Sequence, residues 1–151
     1  MKEMALADRR GGIPSAVIDE ISSLKELRHS NIVDLRDVFF TETKVTLIFE
    51  YCYQDLRTFQ CHYGRQGVLE SSTIRFLFKQ LVRGVRFCHD RSFYHRDLKP
   101  DNLLVNYVDG NWILKIADFG QVCLPSCVGG VKSCEVRCIF QLHGTHKLNV
   151  L

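Results

Sequence analysis

The residue types that could carry chemistry are concentrated in one short segment, His95-Arg96-Asp97-Leu98-Lys99-Pro100-Asp101-Asn102, and in Asp118-Phe119-Gly120 farther along the chain. Together they supply carboxylates, an ammonium group and a carboxamide. Phosphoryl transfer needs groups of this kind, because the reaction depends on positioning and charge neutralisation more than on covalent chemistry. The two segments therefore predict phosphoryl transfer.

The polar side chains of the two segments have distinct predicted roles. Asp97 would accept the proton of the attacking hydroxyl, and Lys99 would neutralise the transferring phosphate. Asn102 and Asp118 would supply oxygen ligands to magnesium, a hard cation that prefers them. A polar loop without catalytic function is the alternative, and the strand predicted directly before Asp118 argues against it.

Elements with clear periodicity precede the first segment. Apolar residues at helical spacing predict a helix that follows Gly11-Gly12-Ile13-Pro14 and continues to about Arg28. Residues 32–40 and 44–51 are rich in Val, Phe and Ile, which predicts two strands joined by a short hairpin connection.

A second helix and a second pair of strands lie closer to the polar segments. Apolar residues recur at helical spacing between Ser71 and Cys88, and Ser71 and Ser72 are the candidate N-caps. Residues 103–105 and 113–116 predict two short strands, and Asp109-Gly110 between them suits a turn.

The composition excludes several classes of protein. The 151 residues are 46% hydrophobic and 25% charged, as in an ordinary globular domain. A net charge of +3 is too small to argue for nucleic acid or a membrane surface as a partner. No run of apolar residues is long enough to span a bilayer, and no signal peptide is present, so we expect an intracellular protein with reduced cysteines.

The catalytic segments, taken with three others, resemble the cyclin-dependent serine/threonine protein kinases. Residues 12–21 are similar to the cyclin-binding helix of that family, residues 24–33 continue the match, and Phe49-Glu50-Tyr51-Cys52-Tyr53-Gln54-Asp55-Leu56 is similar to its hinge. The resemblance implies an α+β fold, a partial two-lobe protein kinase in which residues 1–120 form the kinase domain. Residues 1–51 would be a remnant of the N-lobe, and residues 52–120 the hinge and the start of the helical C-lobe.

The resemblance implies ATP and magnesium as cofactors and assigns further residues to them. Glu20 would pair with the strand lysine, and the family's spacing places that lysine at Lys2. Phe49 would be the gatekeeper beside the adenine. The remaining members of the implied ATP site are Glu50 and Cys52, which would bond the adenine through their backbones, Asp55, which would face the ribose, and Leu104, which would pack under the adenine ring.

Partners and location also follow only from the resemblance. A cyclin would bind the helix from Pro14 to Arg28, protein substrates would receive the phosphate, and the compartment would be the nucleus, the cytoplasm or both. Four residues match the hydrophobic stack that links the two lobes of active kinases: Leu24, Leu35, His95 and Phe119.

The ends of the chain depart from the family's pattern. No glycine-rich loop precedes Lys2 and no Ala-Pro-Glu motif follows Gly120. We therefore expect a chain truncated at both ends, inactive as given, with an internal start or an incomplete gene model as the cause. The alternative function is that of a non-catalytic cyclin-binding fragment.

Residues 121–151 form a divergent cysteine-rich tail that resembles no part of a kinase. Translated non-coding sequence is the expected explanation, because the tail lacks helical or strand periodicity. A zinc site built from Cys123, Cys127, Cys134 and Cys138 with His143 and His146 is the alternative, although the gap between the two cysteine pairs is short for one.

The regulatory arginines of the family are incomplete. Arg96 is present, but Asp19 and Cys123 stand where the family supplies two further arginines for an activating phosphothreonine. An aspartate repels a phosphate instead of pairing with it, so the sequence predicts against activation by that route.

Overall fold

The first part of the fold is a small antiparallel sheet with one helix. A computed structural model describes residues 1–5 and 15–119. Strand β1 (Lys2–Ala5), β2 (Leu35–Phe40) and β3 (Lys44–Phe49) form a sheet in the order β1-β3-β2, and helix α1 (Ser15–Glu26) lies between β1 and β2 in the chain. Lys2 pairs with Leu47, a register that fixes where the Lys2 side chain leaves the sheet.

The second part contains the helices and a separate sheet. Strand β4 (Gln54–Asp55) leads directly into helix α2 (Leu56–Tyr63), and helix α3 (Ser71–His89) follows. A 3₁₀ turn at Pro100–Asn102 then introduces β5 (Leu103–Val108) and β6 (Asn111–Ile116), which form a sheet in the order β4-β5-β6.

The β5–β6 hairpin turns at Asp109 and Gly110, as the sequence predicts. The φ angles of these residues are +49° and +81°, the left-handed values that a two-residue hairpin turn requires. Aspartate and glycine are among the residues that adopt such values most readily.

Apolar side chains of both parts meet in one core. In α1 the buried residues are Val17, Ile21 and Leu24, at the helical spacing seen in the sequence. In α3 the buried apolar residues are Leu77, Leu81 and Cys88. Burial raises the pKa of the Cys88 thiol to about 11, which keeps this thiol protonated at neutral pH. The two ends of the core are therefore held by two amphipathic helices.

A buried polar network joins the segment after α1 to α3 and β6. The Asn31 amide donates to Gln80 Oε1 at 3.0 Å and to the Leu114 carbonyl at 2.9 Å. Gln80 Nε2 donates to the Trp112 carbonyl at 3.0 Å, and the Leu114 amide donates to Gln80 Oε1 at 3.0 Å. One glutamine side chain therefore satisfies three polar groups from two other chain segments.

The boundaries of several elements differ from the sequence predictions. Helix α1 ends at Glu26 instead of Arg28, and the strands predicted over 32–40 and 44–51 are confined to β2 and β3. Residues 32–34 leave the first sheet because Val33 donates to the Ile116 carbonyl and Ile32 forms an isolated bridge with Ile116. The predicted domain division between residues 51 and 52 stays a prediction.

Two local predictions were wrong or incomplete. The N-cap of α3 is Glu70, with no capping bond from its side chain, and neither Ser71 nor Ser72 occupies that position. Helix α2 was not predicted, since its eight residues are too few for a clear apolar period. Asp55 starts it by accepting hydrogen bonds from the Thr58 amide at 2.8 Å and the Thr58 hydroxyl at 2.9 Å.

Several predictions lie outside the described residues. They are the start of the cyclin-binding helix at Pro14, Gly120, and every proposal for the tail 121–151, including its zinc ligands and Cys123. The Asp19 side chain is also outside the description. In the part of the chain that is described, no helix has both the length and the apolar character needed to cross a membrane.

Replacement of Gln80 by Leu tests the polar network. Gln80→Leu keeps the side-chain volume but leaves the Leu114 amide and the Trp112 carbonyl without this partner. We expect the free energy of unfolding in urea to fall by about 2 kcal/mol, because a buried polar group left unpaired costs about 1–3 kcal/mol. The neighbouring exposed residue supplies the control, and Lys79→Leu should change the value by less than about 0.5 kcal/mol. Equal stability of the two variants would contradict this account.

Candidate active site

Residues 95–102, called the catalytic loop below, are held together by contacts that their own side chains make. Lys99 Nζ lies 2.6 Å from Asp97 Oδ2, and the Asn102 amide donates to the Asp97 carbonyl at 2.8 Å and to Asp97 Oδ2 at 3.0 Å. Pro100 begins the 3₁₀ turn that brings Asn102 back toward Asp97. Lys99 and Asn102 therefore fix the rotamer of the Asp97 carboxylate.

Backbone hydrogen bonds place Asp118 beside this loop. The Ala117 amide donates to the Asn102 carbonyl at 2.9 Å, and His95 Nε2 lies 2.8 Å from the Ala117 carbonyl. The His95 and Phe119 rings pack edge to face with their centroids 4.9 Å apart. The two polar segments of the sequence are thus adjacent in space, although β5 and β6 separate them in the chain.

His95 is neutral, and both of its ring nitrogens are used. Burial lowers the pKa of His95, an effect larger than the opposing hydrogen bond to the Ala117 carbonyl. A neutral ring that donates from Nε2 to Ala117 carries a lone pair on Nδ1, and the Asp97 amide points to Nδ1 at 3.3 Å. The imidazole therefore connects the chain before Asp118 to the chain at Asp97.

Two residues of the site have left-handed backbone. Arg96 has a φ of +65° and Asp118 has a φ of +62°. Such values cost about 1–3 kcal/mol each and persist only where neighbouring contacts enforce them. The hydrogen bonds of His95 and Asn102 flank both residues, so the site supplies the restraint.

Lys2 connects the first sheet to α1 and to Asp118. Its Nζ lies 2.8 Å from Glu20 Oε1 and 3.0 Å from Asp118 Oδ1. Glu20 is only 8% exposed, so loss of Lys2 would leave a buried carboxylate without its partner. Partial burial acts to lower the pKa of Lys2, but the hydrogen bonds and charges of Glu20 and Asp118 outweigh it and raise the pKa.

A cleft of about 610 Å³ lies between the two sheets, next to Lys2 and Asp118. Lys2 and Asp118 form its polar end. Its walls are mainly apolar and come from six places: the residue before β1, the segment before β2, the end of β3, the connection after β3, β5 and the residue after β6. The lining residues are Met1, Val33, Phe49, Glu50, Tyr51, Cys52, Leu104 and Ala117. An apolar cleft with a few polar groups at one end is the usual form of a small-molecule site.

Comparison with known proteins identifies the family. The protein kinase domain family model matches residues 1–129. The chain belongs to the protein kinase family. It is also 47% identical over 120 residues to cell division control protein 2 homolog 1 of Trypanosoma brucei brucei. That similarity covers 80% of this chain and 38% of the relative, so the chain spans well under half of the relative's length. The relative supports the assignment to the cyclin-dependent type of kinase.

The kinase fold brings together most of the residues that were predicted for the site. One group lines the cleft, and these residues are Lys2, Phe49, Glu50, Cys52, Leu104 and Asp118. A second group lies within the catalytic loop, and these residues are Asp97, Lys99 and Asn102. Glu20 lies behind Lys2 and reaches the cleft only through it. Their roles with ATP and magnesium stay predictions.

Asp55 differs from the other predicted residues. Both of its carboxylate oxygens accept hydrogen bonds from Thr58, so the side chain serves as the N-cap of α2. It does not belong to the lining of the described cleft. Its predicted contact with a ribose stays a prediction, and its observed role is to start the helix that follows the hinge.

The donor set of the kinase site suits magnesium. The Asn102 nitrogen makes the bonds to Asp97, so the amide oxygen is the atom that could ligate a cation. Asp118 supplies a carboxylate that is 49% exposed and borders the cleft. Magnesium typically takes one or two protein oxygens together with phosphates and water. Within residues 1–5 and 15–119, no group of three or more His, Cys, Asp or Glu side chains is arranged as a metal site.

Sequence reasoning missed two ion pairs near the site. Lys115 Nζ lies 2.7 Å from Glu50 Oε1, and both side chains are nearly buried. Arg57 forms two hydrogen bonds of 2.9 Å to the carboxylate of Asp101, next to Asn102. The signal for the first pair was a lysine inside an otherwise apolar strand. Arg57 gave no signal, because α2 itself was not predicted.

The charge on Asp97 supplies a pH test of the loop. The hydrogen bond and charge of Lys99 hold the pKa of Asp97 below its usual value of 3.8. Because the folded-state pKa is depressed, the stabilisation is present above pH 3.8 and is lost as the pH falls through the lowered value. We expect Lys99→Met to raise the pKa of Asp97, as measured from its carboxyl ¹³C chemical shift. Lys79→Met should leave the titration unchanged, and an unshifted pKa in Lys99→Met would refute the coupling.

Proposed function

We propose that this chain carries the nucleotide-binding and catalytic centre of a cyclin-dependent-type serine/threonine kinase. Such a kinase transfers the γ-phosphate of ATP to a protein hydroxyl. The observation that carries the proposal is the position of Asp118. It contacts Lys2 at the cleft, and its neighbour Ala117 is bonded to Asn102 and His95 of the catalytic loop. A phosphate chain at that point would meet groups from both lobes.

The cleft suggests how ATP would lie. The adenine would occupy the apolar end, between the connection after β3 and Leu104, with the backbones of Glu50 and Cys52 as hydrogen-bond partners. The triphosphate would extend toward Lys2 and Asp118, where the charges lie. Magnesium, bound by Asn102 and Asp118, would supply the Lewis-acid neutralisation of the phosphates.

The side chains of the loop would perform the transfer. The substrate hydroxyl oxygen forms a bond to the γ-phosphorus, and the bond from that phosphorus to the bridging oxygen breaks and releases ADP. Asp97 is kept ionised by Lys99, so it can accept the hydroxyl proton. The Lys99 ammonium lies within reach of the same carboxylate and would offset the negative charge of the transferring group.

Helix α1 supports the proposal of a cyclin partner. Ile18 is 49% exposed although Val17 and Ile21 beside it are buried, so an apolar side chain points away from the core. Glu20, on the same helix, holds Lys2. A protein bound at Ile18 could therefore set the position of Lys2 through α1. The same observation favours the second candidate, a fragment that captures a cyclin without catalysis.

Transfer of ³²P from labelled ATP to a protein substrate tests the catalytic proposal. Asp97→Asn should lower the transfer rate by about 100-fold or more, because general-base catalysis contributes roughly 10²–10⁴-fold. Asp109→Asn is the matched control in the exposed β5–β6 turn and should retain full activity. The assay is made on this chain with a cyclin and on the longest protein that contains it. Transfer that survives Asp97→Asn would refute the assigned role. No transfer from this chain, with cyclin binding retained, would favour the second candidate.

Binding to a panel of purified cyclins tests the partner. Ile18→Asp should weaken the binding of any cyclin that recognises the chain by about tenfold or more, since removing a buried apolar anchor from an interface typically costs above 1 kcal/mol. Lys25→Asp also places a carboxylate on the exposed surface of α1 and should have a smaller effect. Equal affinities of the two variants in surface plasmon resonance would argue against binding through Ile18.

A further inference from the structure

The connection between the two sheets is fastened by one carboxylate. Residues 50–53 link β3 to β4, and Glu50 begins this link. The Glu50 amide donates to the Asp34 carbonyl at 2.9 Å, and the Asp34 amide donates to Glu50 Oε1 at 2.8 Å. The same oxygen lies 2.7 Å from Lys115 Nζ. A single atom of Glu50 therefore joins the segment before β2, through Asp34, to the second sheet, through Lys115.

The Lys115–Glu50 pair is far less exposed than the lysine–glutamate pair on the surface of the first sheet, which has a similar geometry. Its side chains are 12% and 13% exposed, whereas those of Lys44 and Glu3 are 45% and 47% exposed at an N–O distance of 2.8 Å. An exposed pair contributes little, because water and salt screen it. A buried pair that loses one partner leaves a charge without compensation, and the surrounding chain must move to solvate it.

We infer that Lys115 is a positioning residue for adenine, acting through Glu50 on the backbone of the hinge. It does not itself line the cleft, whereas Glu50, Tyr51 and Cys52 do. Lys115 belongs to β6, two residues before Ala117. Its ion pair with Glu50 therefore also connects the hinge to the strand that precedes Asp118. The inference rests on the proposed function, because it assigns the hinge backbone to the nucleotide base.

Two ligands separate recognition of the base from recognition of the phosphates. ATP and inorganic tripolyphosphate, each with magnesium, would share the contacts at Lys2 and Asp118, but only ATP would use the hinge. Isothermal titration should show that Lys115→Met weakens ATP binding by about tenfold, the equivalent of one lost hydrogen bond. Tripolyphosphate affinity should not change. Lys44→Met, which breaks the exposed pair, should leave both affinities unchanged.

A double variant distinguishes a positioning role from a general loss of stability. Glu50→Gln removes the uncompensated charge and keeps an acceptor for the Asp34 amide, so Lys115→Met with Glu50→Gln should recover ATP affinity to within about threefold of the original. An unchanged ATP affinity in Lys115→Met would overturn the inference. Equal losses for ATP and tripolyphosphate, or no recovery in the double variant, would do the same.

Hydrogen exchange without nucleotide gives a readout that does not depend on ATP. The Tyr51 and Cys52 amides should exchange faster in Lys115→Met than in the original chain or in Lys44→Met, and the double variant should restore the slower rates. Exchange rates that do not differ would overturn the positioning role. If the original chain binds neither ligand, the proposed nucleotide site fails, and the exchange data then decide separately whether Lys115 holds the hinge.

Discussion

The position of Asp118 beside the catalytic loop depends on the fixed main chain of Ile116 and Ala117. The Ile116 amide donates to the Asn31 carbonyl, and its own carbonyl accepts from Val33. The Ala117 amide donates to the Asn102 carbonyl, and its own carbonyl accepts from His95. Both polar backbone atoms of Ile116 are thus bonded to residues 31–33, and both of Ala117 are bonded to the catalytic loop. Asp118 follows Ala117 directly, so these hydrogen bonds fix the position of the Asp118 backbone independently of the contacts of its side chain.

Charges inside this frame are tolerated because each has a partner. Glu20 and Glu50 are nearly buried carboxylates; Glu20 accepts from Lys2 of β1, and Glu50 accepts from Lys115 of β6. Such pairs add little net stability, since desolvation offsets most of the attraction. They do favour one geometry over others, because any displacement leaves a charge unpaired. At Glu20 that geometry is the position of Lys2, and at Glu50 it is the position of the connection between β3 and β4.

The neutral state of His95 helps to hold Ala117 and Asp97 in this arrangement. Burial disfavours its charged form, and the neutral ring offers one donor and one acceptor. The donor serves the Ala117 carbonyl and the acceptor faces the Asp97 amide. These bonds lie on either side of the left-handed Arg96, whose backbone would otherwise relax. A proton added to the ring would remove the acceptor and weaken the restraint.

The sequence by itself determined the family motifs, the helices with long apolar periods and the turn at Asp109-Gly110. Those features are local, because a motif, an i, i+4 pattern or a left-handed turn depends on neighbours along the chain. It also brought Lys2 and Glu20 together, through family spacing and not through periodicity. The sequence could not reveal helix α2, because eight residues are too few for a clear apolar period. It also could not reveal the N-cap at Glu70 or the end of the second predicted strand, since two or three terminal residues carry too little pattern.

Only the tertiary structure decided which polar and charged side chains meet across long separations in the chain. Lys115 with Glu50 and Gln80 with Asn31 are pairs of this kind, and their members lie on different elements. A lysine in an apolar strand is ambiguous in sequence, because its stem can be buried while its ammonium finds either water or a carboxylate. The hydrogen bonds of Ile116 and Ala117 hold the end of β6 against residues 31–33 and the catalytic loop, and in that position Lys115 meets Glu50.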